Sequence, residues 1–480
     1  MFYRLKEQFR LRGWEKLPWG IEDRKLHTST YITKRQMEAL KLCNGKIDLD
    51  LPLIAADIRK MIPELEKEGL IERCEAGETI LPIQEYKKYP CRYMYRALWS
   101  LTGRCNYRCK HCYMSAPDAK YGELDHETML KIAREIGDCG IVEVSLTGGE
   151  PLVRDDFFEI VDALLEKEVW ISQIYSNGEL VNEKLLKALD DRGIHPEFNM
   201  SFDGVGWHDW MRGIPGAEAS VDRAFRLCKE MGFPTGAEMC IHKQNKDTLR
   251  ETINYLSSVG CTALKTNPVS NTGEWRINNY GESISIDELF QTYLDYIPYY
   301  YEDGMPLALM LGGFFSARPK RPDYYDIPLY HYPKDPDKCV VCAHARTVMY
   351  ISPEGRALPC MSLTASPVQD DFPLIPELGL TKCITDSVYM DFITTRAAKV
   401  LEHNEECRSC EYRRWCQGGC RASGLADSPS YDDLLYRDLP CCALYRDGWI
   451  PRIMRLMKEL KPDADSALLK DEYWKEQIDR

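Results

Sequence analysis

Cys105-Asn106-Tyr107-Arg108-Cys109-Lys110-His111-Cys112-Tyr113 is the stretch around which the rest of this 480-residue sequence arranges itself. It follows a strand-like run, Tyr95 to Leu101, and spaces three cysteines as C-x3-C-x2-C. Thiolates are soft ligands suited to iron–sulfur clusters, and a cubane held wholly by protein takes four of them. Three leave one iron open to a small molecule. A zinc knuckle would want a fourth protein ligand close in sequence.

Outward from this stretch the pattern alternates strand and helix. Glu143–Thr147, Trp170–Ser176, Glu197–Ser201, Thr235–Ile241 and Ala263–Asn267 read as strands. Between and after them Asp156–Lys167, Asn182–Arg192, Glu218–Met231, Asp247–Val259 and Ile286–Tyr301 read as helices. About six such units predict an α/β fold with a parallel sheet and right-handed crossovers, a partial (β/α)6 TIM-like barrel over 91–310. In such folds the chemistry gathers at the C-terminal ends of the strands. The polar motifs fall there: Thr147-Gly148-Gly149-Glu150-Pro151 after the second strand, Ser176-Asn177-Gly178 after the third, Ser201-Phe202-Asp203-Gly204 after the fourth, then Arg212. Paired glycines let backbone approach a ligand, and a carboxylate there can pair with an ammonium.

C-x3-C-x2-C followed one unit later by Gly-Gly-Glu-Pro resembles the radical S-adenosylmethionine (SAM) enzymes. The resemblance implies that Cys105, Cys109 and Cys112 hold a [4Fe-4S] cluster whose open iron takes SAM, and that His111 lies against the adenine. It further implies that Gly148, Gly149, Glu150 and Pro151 receive the SAM amino group, that Ser176, Asn177, Ser201 and Asp203 contact its carboxylate and ribose, and that Arg212 partners the carboxylate. Loop capping is the plain alternative for these polar ends. The implied chemistry is reductive cleavage of SAM to a 5′-deoxyadenosyl radical, which takes a hydrogen atom from the substrate.

A second cysteine field lies beyond a Pro-, Tyr- and Asp-rich connection, read as a linker over 311–338. Cys339 and Cys342 precede Gly355 and Cys360; Cys407-x2-Cys410-x5-Cys416-x3-Cys420 follows, then the adjacent pair Cys441-Cys442. Met349 to Leu358 reads as a hairpin turning at Pro353-Glu354-Gly355, which brings Cys342 and Cys360 to one end. Zinc ribbons do not account for the x5 and x3 spacings. The field, 339–445, resembles the SPASM extension of radical SAM enzymes. By that resemblance Cys339, Cys342, Cys360 and Cys420 hold one auxiliary cluster, and Cys407, Cys410, Cys416 and either Cys441 or Cys442 hold another, making three [4Fe-4S] clusters in all. Spare cysteines such as Cys139, Cys228 and Cys261 read as core.

Residues 1–90 differ in pattern. A turn-rich opening, Leu11–Gly20, precedes a helix capped by Thr33, a second helix over Ile54–Gly69, and two β-type runs, Leu70–Arg73 and Thr79–Pro82. This predicts a winged-helix-like domain. Asp57, Glu64, Glu66 and Glu68 on its second helix, with a net charge of −13, argue against nucleic acid and anionic membranes as partners. The unit resembles the peptide-recognition domain of peptide-modifying radical enzymes, which takes a leader segment by strand addition. The N-terminus has no apolar signal core and no run approaches a bilayer span, so a cytoplasmic protein is expected. The chain closes, over 446–480, with an amphipathic helix, Pro451–Lys461, and a polar tail, both expected to be solvated.

These expectations converge on a maturase that cross-links a ribosomally made precursor peptide, through a thioether, carbon–carbon or carbon–oxygen bond, with reducing power from a low-potential donor such as flavodoxin or ferredoxin. Epimerisation and formylglycine formation are the enzymatic alternatives, and a redox-sensing regulator the non-enzymatic one. Formylglycine-forming relatives place an Asp base directly after the Gly-x4-Cys cysteine; here Met361 stands there. No catalytic acid or base is assigned.

Overall fold

The structure, a computed structural model, describes all residues except 16, 91–93, 117, 279–282 and 479–480. Six parallel strands form as the alternation predicts: Arg96–Ser100, Glu143–Thr147, Trp170–Ser176, Glu197–Ser201, Thr235–Ile241 and Ala263–Pro268. Each is followed by a helix that lays its apolar stripe on the sheet: His126–Asp138, Phe157–Glu166, Glu183–Asp190, Ala217–Glu230, Leu249–Ser258 and Ile286–Glu302. Local chemistry sets the helix starts. Asn182 accepts from the Leu185 N–H at 3.0 Å, and Asp125 from that of Thr128 at 2.9 Å.

The sheet runs further than the sequence reading foresaw, to 11 strands. Ala308–Leu311 joins in parallel, and Phe315–Arg318 and Arg321–Asp326 follow antiparallel. Part of the expected linker is therefore sheet: Tyr325 is buried there and stacks on Phe315 at 5.9 Å. At the other edge Val348–Ile351 pairs in parallel with Arg96–Ser100 and turns back through Ala357–Leu358. The expected hairpin over 349–358 thus forms, with Gly355 at φ +84° in its turn, and it also extends the barrel sheet. That pairing ties the second cysteine field to the strand that leads into Cys105.

The N-terminal region is built differently from its prediction. Helices Lys34–Leu42 and Ala56–Lys67 form, the first with a capping box between Thr33 and Gln36. The hairpin expected over 70–82 does not. Ile71–Cys74 pairs instead with Phe2–Leu5, whose Tyr3 and Leu5 are buried, and Pro82 has no N–H to give a ladder. The opening read as turn-rich contains Phe9–Trp14, the middle of a four-stranded sheet ordered Thr28–Tyr31, Gly20–Asp23, Phe9–Trp14, Lys87–Tyr89. Its Arg10 and Arg12 are buried because both reach Glu22, at 2.7 and 2.8 Å, so polar residues sit where an apolar strand pattern was wanted. This sheet docks on the barrel through Glu168, which receives Arg10 and Arg24 at 3.1 Å each, and through His27 stacked on Trp170 at 4.0 Å.

The C-terminal end is packed rather than solvated. Trp449–Leu460 is a helix whose Trp449 meets Phe290 at 5.7 Å and Phe314 at 6.0 Å. In the polar tail Trp474 is buried and stacks on Tyr412 at 6.1 Å.

Candidate active site

The loop leaving Arg96–Ser100 carries Cys105, Cys109 and Cys112 over the C-terminal ends of the parallel strands. The Gly148-Gly149 turn clamps it from the next strand. Gly149 N–H donates to the Thr102 carbonyl at 2.8 Å and Glu150 N–H to that of Arg104 at 2.9 Å. A Cβ on Gly149 would lie 2.2 Å from the Arg104 carbonyl oxygen, so only glycine allows this approach. Burial and the like charges of Cys109 and Cys112 push the Cys105 thiol up to about 12. Three half-buried cysteines whose thiols are all pushed up fit a cationic iron group that would take all three as thiolates.

Glu150 is fully buried and accepts four hydrogen bonds, all from uncharged donors. Ser176 Oγ reaches both carboxylate oxygens at 3.1 Å, Asn177 N–H donates at 2.8 Å and Leu152 N–H at 3.2 Å. Burial raises its carboxyl to about 7, and no cation relieves it among the described residues. Such a group fits an amino-bearing ligand. Ser176 and Asn177, expected at the SAM carboxylate and ribose, here orient Glu150. The Asn177 amide also donates to Asn106 Oδ1 at 2.8 Å and lies 3.9 Å from Cys105 Sγ.

Asp203 and Arg212 meet opposite the cysteine loop. Arg212 Nε lies 2.7 Å from Asp203 Oδ2, and a terminal nitrogen of Arg212 sits 3.7 Å from Cys109 Sγ. Burial alone would raise the Asp203 carboxyl, but the Arg212 guanidinium beside it holds it well below the usual carboxylate range. Asp203 also accepts from Cys240 N–H at 3.0 Å, and its own N–H donates to His208 Nδ1 at 3.0 Å. The ligand atoms of His111, Asp203 and Cys240 lie within 4.8 Å of one another, and His111 Nδ1 is buried without a partner among the described residues. Burial lowers the His111 imidazole to about 4, so it is neutral. Pro151 only opens a short turn, and Ser201, at its strand end, makes no side-chain bond to this network among the described residues.

Sequence reasoning missed Asn106 and Cys240. Cys240 stands at the C-terminal end of Thr235–Ile241, where the strand-end rule that selects Ser176 and Ser201 also applies, but a lone cysteine inside a strand pattern reads as core.

The second field divides in two. Burial first, and then the neighbouring Cys360 that follows the hairpin, push the Cys342 and Cys420 thiols up. Cys339 makes its described contact through its carbonyl, which accepts from Ala397 N–H. Cys407, Cys410, Cys416 and Cys442 line a small cavity with Tyr412 and Arg437. Cys441 is not among the lining residues; it is buried beside Asp438, which accepts from its N–H at 3.0 Å.

Residues 99–256 match the radical SAM superfamily. The barrel is a radical SAM domain. Among curated relatives, the PqqA peptide cyclase of Granulibacter bethesdensis is 29% identical over 353 residues, covering 72% of this chain and 86% of that protein. That of Gluconobacter oxydans is 26% identical over 335 residues, 68% and 86% of the two chains. Among solved structures, Streptococcus suis SuiB bound to its precursor peptide SuiA matches the fold with TM-score 0.61 at 15% identity, over 92% of this enzyme and all of that chain. No helix among the described residues is long and apolar enough to cross a membrane.

Proposed function

We propose that this enzyme matures a ribosomally made precursor peptide by installing a cross-link, a thioether, carbon–carbon or carbon–oxygen bond. The observation that carries the reading is the similarity to PqqA peptide cyclases, which over 353 residues runs well past the matched barrel segment 99–256. Cys105, Cys109 and Cys112 would hold the SAM-binding cluster, and Glu150 would take the SAM amino group. Cys339, Cys342, Cys360 and Cys420 would hold one auxiliary cluster, and Cys407, Cys410, Cys416 and Cys442 the second. A cluster and SAM bound there would supply one-electron reduction of the SAM sulfonium and, from it, hydrogen-atom abstraction from the peptide. The protein's share is to orient Glu150 through Ser176 and Asn177, to hold Arg212 charged against Asp203, and to keep His111 neutral. Electrons would come from a flavodoxin- or ferredoxin-like donor, in the cytoplasm.

The N-terminal sheet supports a leader-binding role. Thr28–Tyr31 is its edge and all four residues are exposed. Ile32 N–H bonds the Trp19 carbonyl at 3.1 Å, so by antiparallel alternation Thr28 and Thr30 face the neighbouring strand. Ser29, between them, then presents its backbone groups outward, ready for an added strand. Met361, in a short turn after Cys360, offers no base where formylglycine formation needs one.

Anaerobic incubation of reconstituted enzyme with SAM, dithionite and a short peptide encoded beside it, read by mass spectrometry, tests the proposal. A peptide lighter by two hydrogens, with 5′-deoxyadenosine formed, is expected. Unchanged mass with solvent deuterium incorporated would mean epimerisation, and absence of 5′-deoxyadenosine with intact clusters would overturn the enzymatic reading.

A further inference from the structure

Arg421 opens the helix Arg421–Asp427 and is 4% exposed, in the middle of the second cysteine field. A guanidinium carries five N–H groups and stays charged. Four are used on carbonyls. One terminal nitrogen donates to Leu434 at 3.2 Å and Tyr436 at 2.9 Å, the other to Gly419 at 3.3 Å and to Gly418. The fifth, the Nε–H, is buried with no partner among the described residues. A charged donor left bare in the interior is costly, so this one has an acceptor when the protein is complete.

The carbonyls of Leu434, Tyr436, Gly418 and Gly419 are used by the terminal nitrogens. The carboxylate at hand, Asp438, already accepts from Cys420 N–H at 2.7 Å, Cys441 N–H at 3.0 Å and Ser423 Oγ at 2.8 Å. Arg421 follows Cys420 directly and grips the carbonyls of Gly418 and Gly419, which lead into that cysteine, so its side chain is anchored beside the Cys420 end of the field.

We propose that the Arg421 Nε–H donates to a sulfur of the iron–sulfur group held by Cys342, Cys360 and Cys420, making Arg421 a positioning residue that raises the reduction potential of that group. The inference rests on reading this field as cluster ligands. An N–H bond to cluster sulfur favours the reduced, more negative state. Arg212 beside Cys109 differs, because its Nε is set against Asp203 and its charge is met there.

The test uses the full chain with Cys105, Cys109 and Cys112 replaced by Ala, so that only auxiliary clusters remain and Arg212 cannot contribute. It is grown on ¹⁵N-arginine, reconstituted anaerobically, reduced, and examined by pulsed EPR. A ¹⁵N coupling is expected, lost in Arg421→Lys, with a lower midpoint potential in that variant. The coupling should persist when Cys407 and Cys410 are also replaced, since the second site is not its source, and this holds whether or not the Lys variant folds. Absence of coupling in protein holding about eight irons would overturn the role of Arg421 and leave the cluster reading standing. A coupling that survives Arg421→Lys would come from another arginine, such as Arg437 at the second cavity, and would overturn it too. Protein that holds no iron would overturn the cluster reading itself.

Discussion

Glu150→Gln should act in opposite directions on ligand binding and on stability. Burial raises the Glu150 carboxyl from 4.5 to about 7, while every hydrogen bond it accepts comes from an uncharged donor. About one-tenth of it is ionised at pH 6 and about nine-tenths at pH 8. If the carboxylate takes the SAM amino group, the ratio of SAM Kd values, Glu150→Gln over parent, should rise about tenfold between these pH values. The ligand's own amino group titrates alike in both proteins and cancels from the ratio. At pH 8 a buried charge-assisted bond of about 1.5–3 kcal/mol is lost, weakening binding about tenfold to more than a hundredfold. Without SAM the sign reverses. A carboxyl whose folded value is raised stabilises the fold below about pH 4.5 and loses that stabilisation as pH climbs through about 7. At pH 8 this costs the parent about 3 kcal/mol. The amide removes that cost but turns N–H toward either Leu152 N–H or Asn177 N–H, giving back about 1–2 kcal/mol. Anaerobic equilibrium dialysis with labelled SAM and thermal scans at both pH values measure the two effects. A flat Kd ratio, or a variant that binds SAM within about twofold of the parent at pH 8, would refute the reasoning.

Three further outcomes follow from the geometry. Cys442→Ala should lose about four of about twelve irons after reconstitution, and Cys441→Ala should keep them; the reverse result would mean that the cavity lining misassigns the ligand. Asp203→Asn strands the buried Arg212 charge and should destabilise the reconstituted protein by about 3–5 kcal/mol in denaturant unfolding, with a loss below about 1 kcal/mol counting against the pair. Ser29→Pro removes an outward N–H from the open edge without touching the ladder to Gly20–Asp23, so it should weaken precursor-peptide binding while 5′-deoxyadenosine formation without peptide stays unchanged; equal binding would place the leader elsewhere.

The barrel was legible because its strands and helices carry their periods without interruption. Glu143–Thr147 and Trp170–Ser176 are strands with the bounds that alternation and flanking turns suggested. The N-terminal sheet was not legible, because Arg10, Arg12 and Glu22 sit inside it. Their charges cancel only once the strands Phe9–Trp14 and Gly20–Asp23 pair and bring Glu22 against both arginines, and until then they read as surface. The strand Arg321–Asp326 hid behind Pro322 and its polar neighbours, and its pairing depends on Phe315–Arg318 offering an edge.

The same division runs through the site. The cysteine spacings, the Gly-Gly-Glu-Pro turn and their order along the chain identify a radical SAM barrel, since ligand number and strand-end placement are local properties. What each polar residue faces is a matter of distance across the fold. Only the tertiary structure turns Ser176 and Asn177 onto Glu150, closes Arg212 on Asp203, brings Cys240 to the site, and sets Cys442 rather than Cys441 into the cavity with Cys407, Cys410 and Cys416. Adjacent residues on a helix point about 100° apart, so two neighbouring cysteines that are equivalent as sequence become different the moment the helix docks.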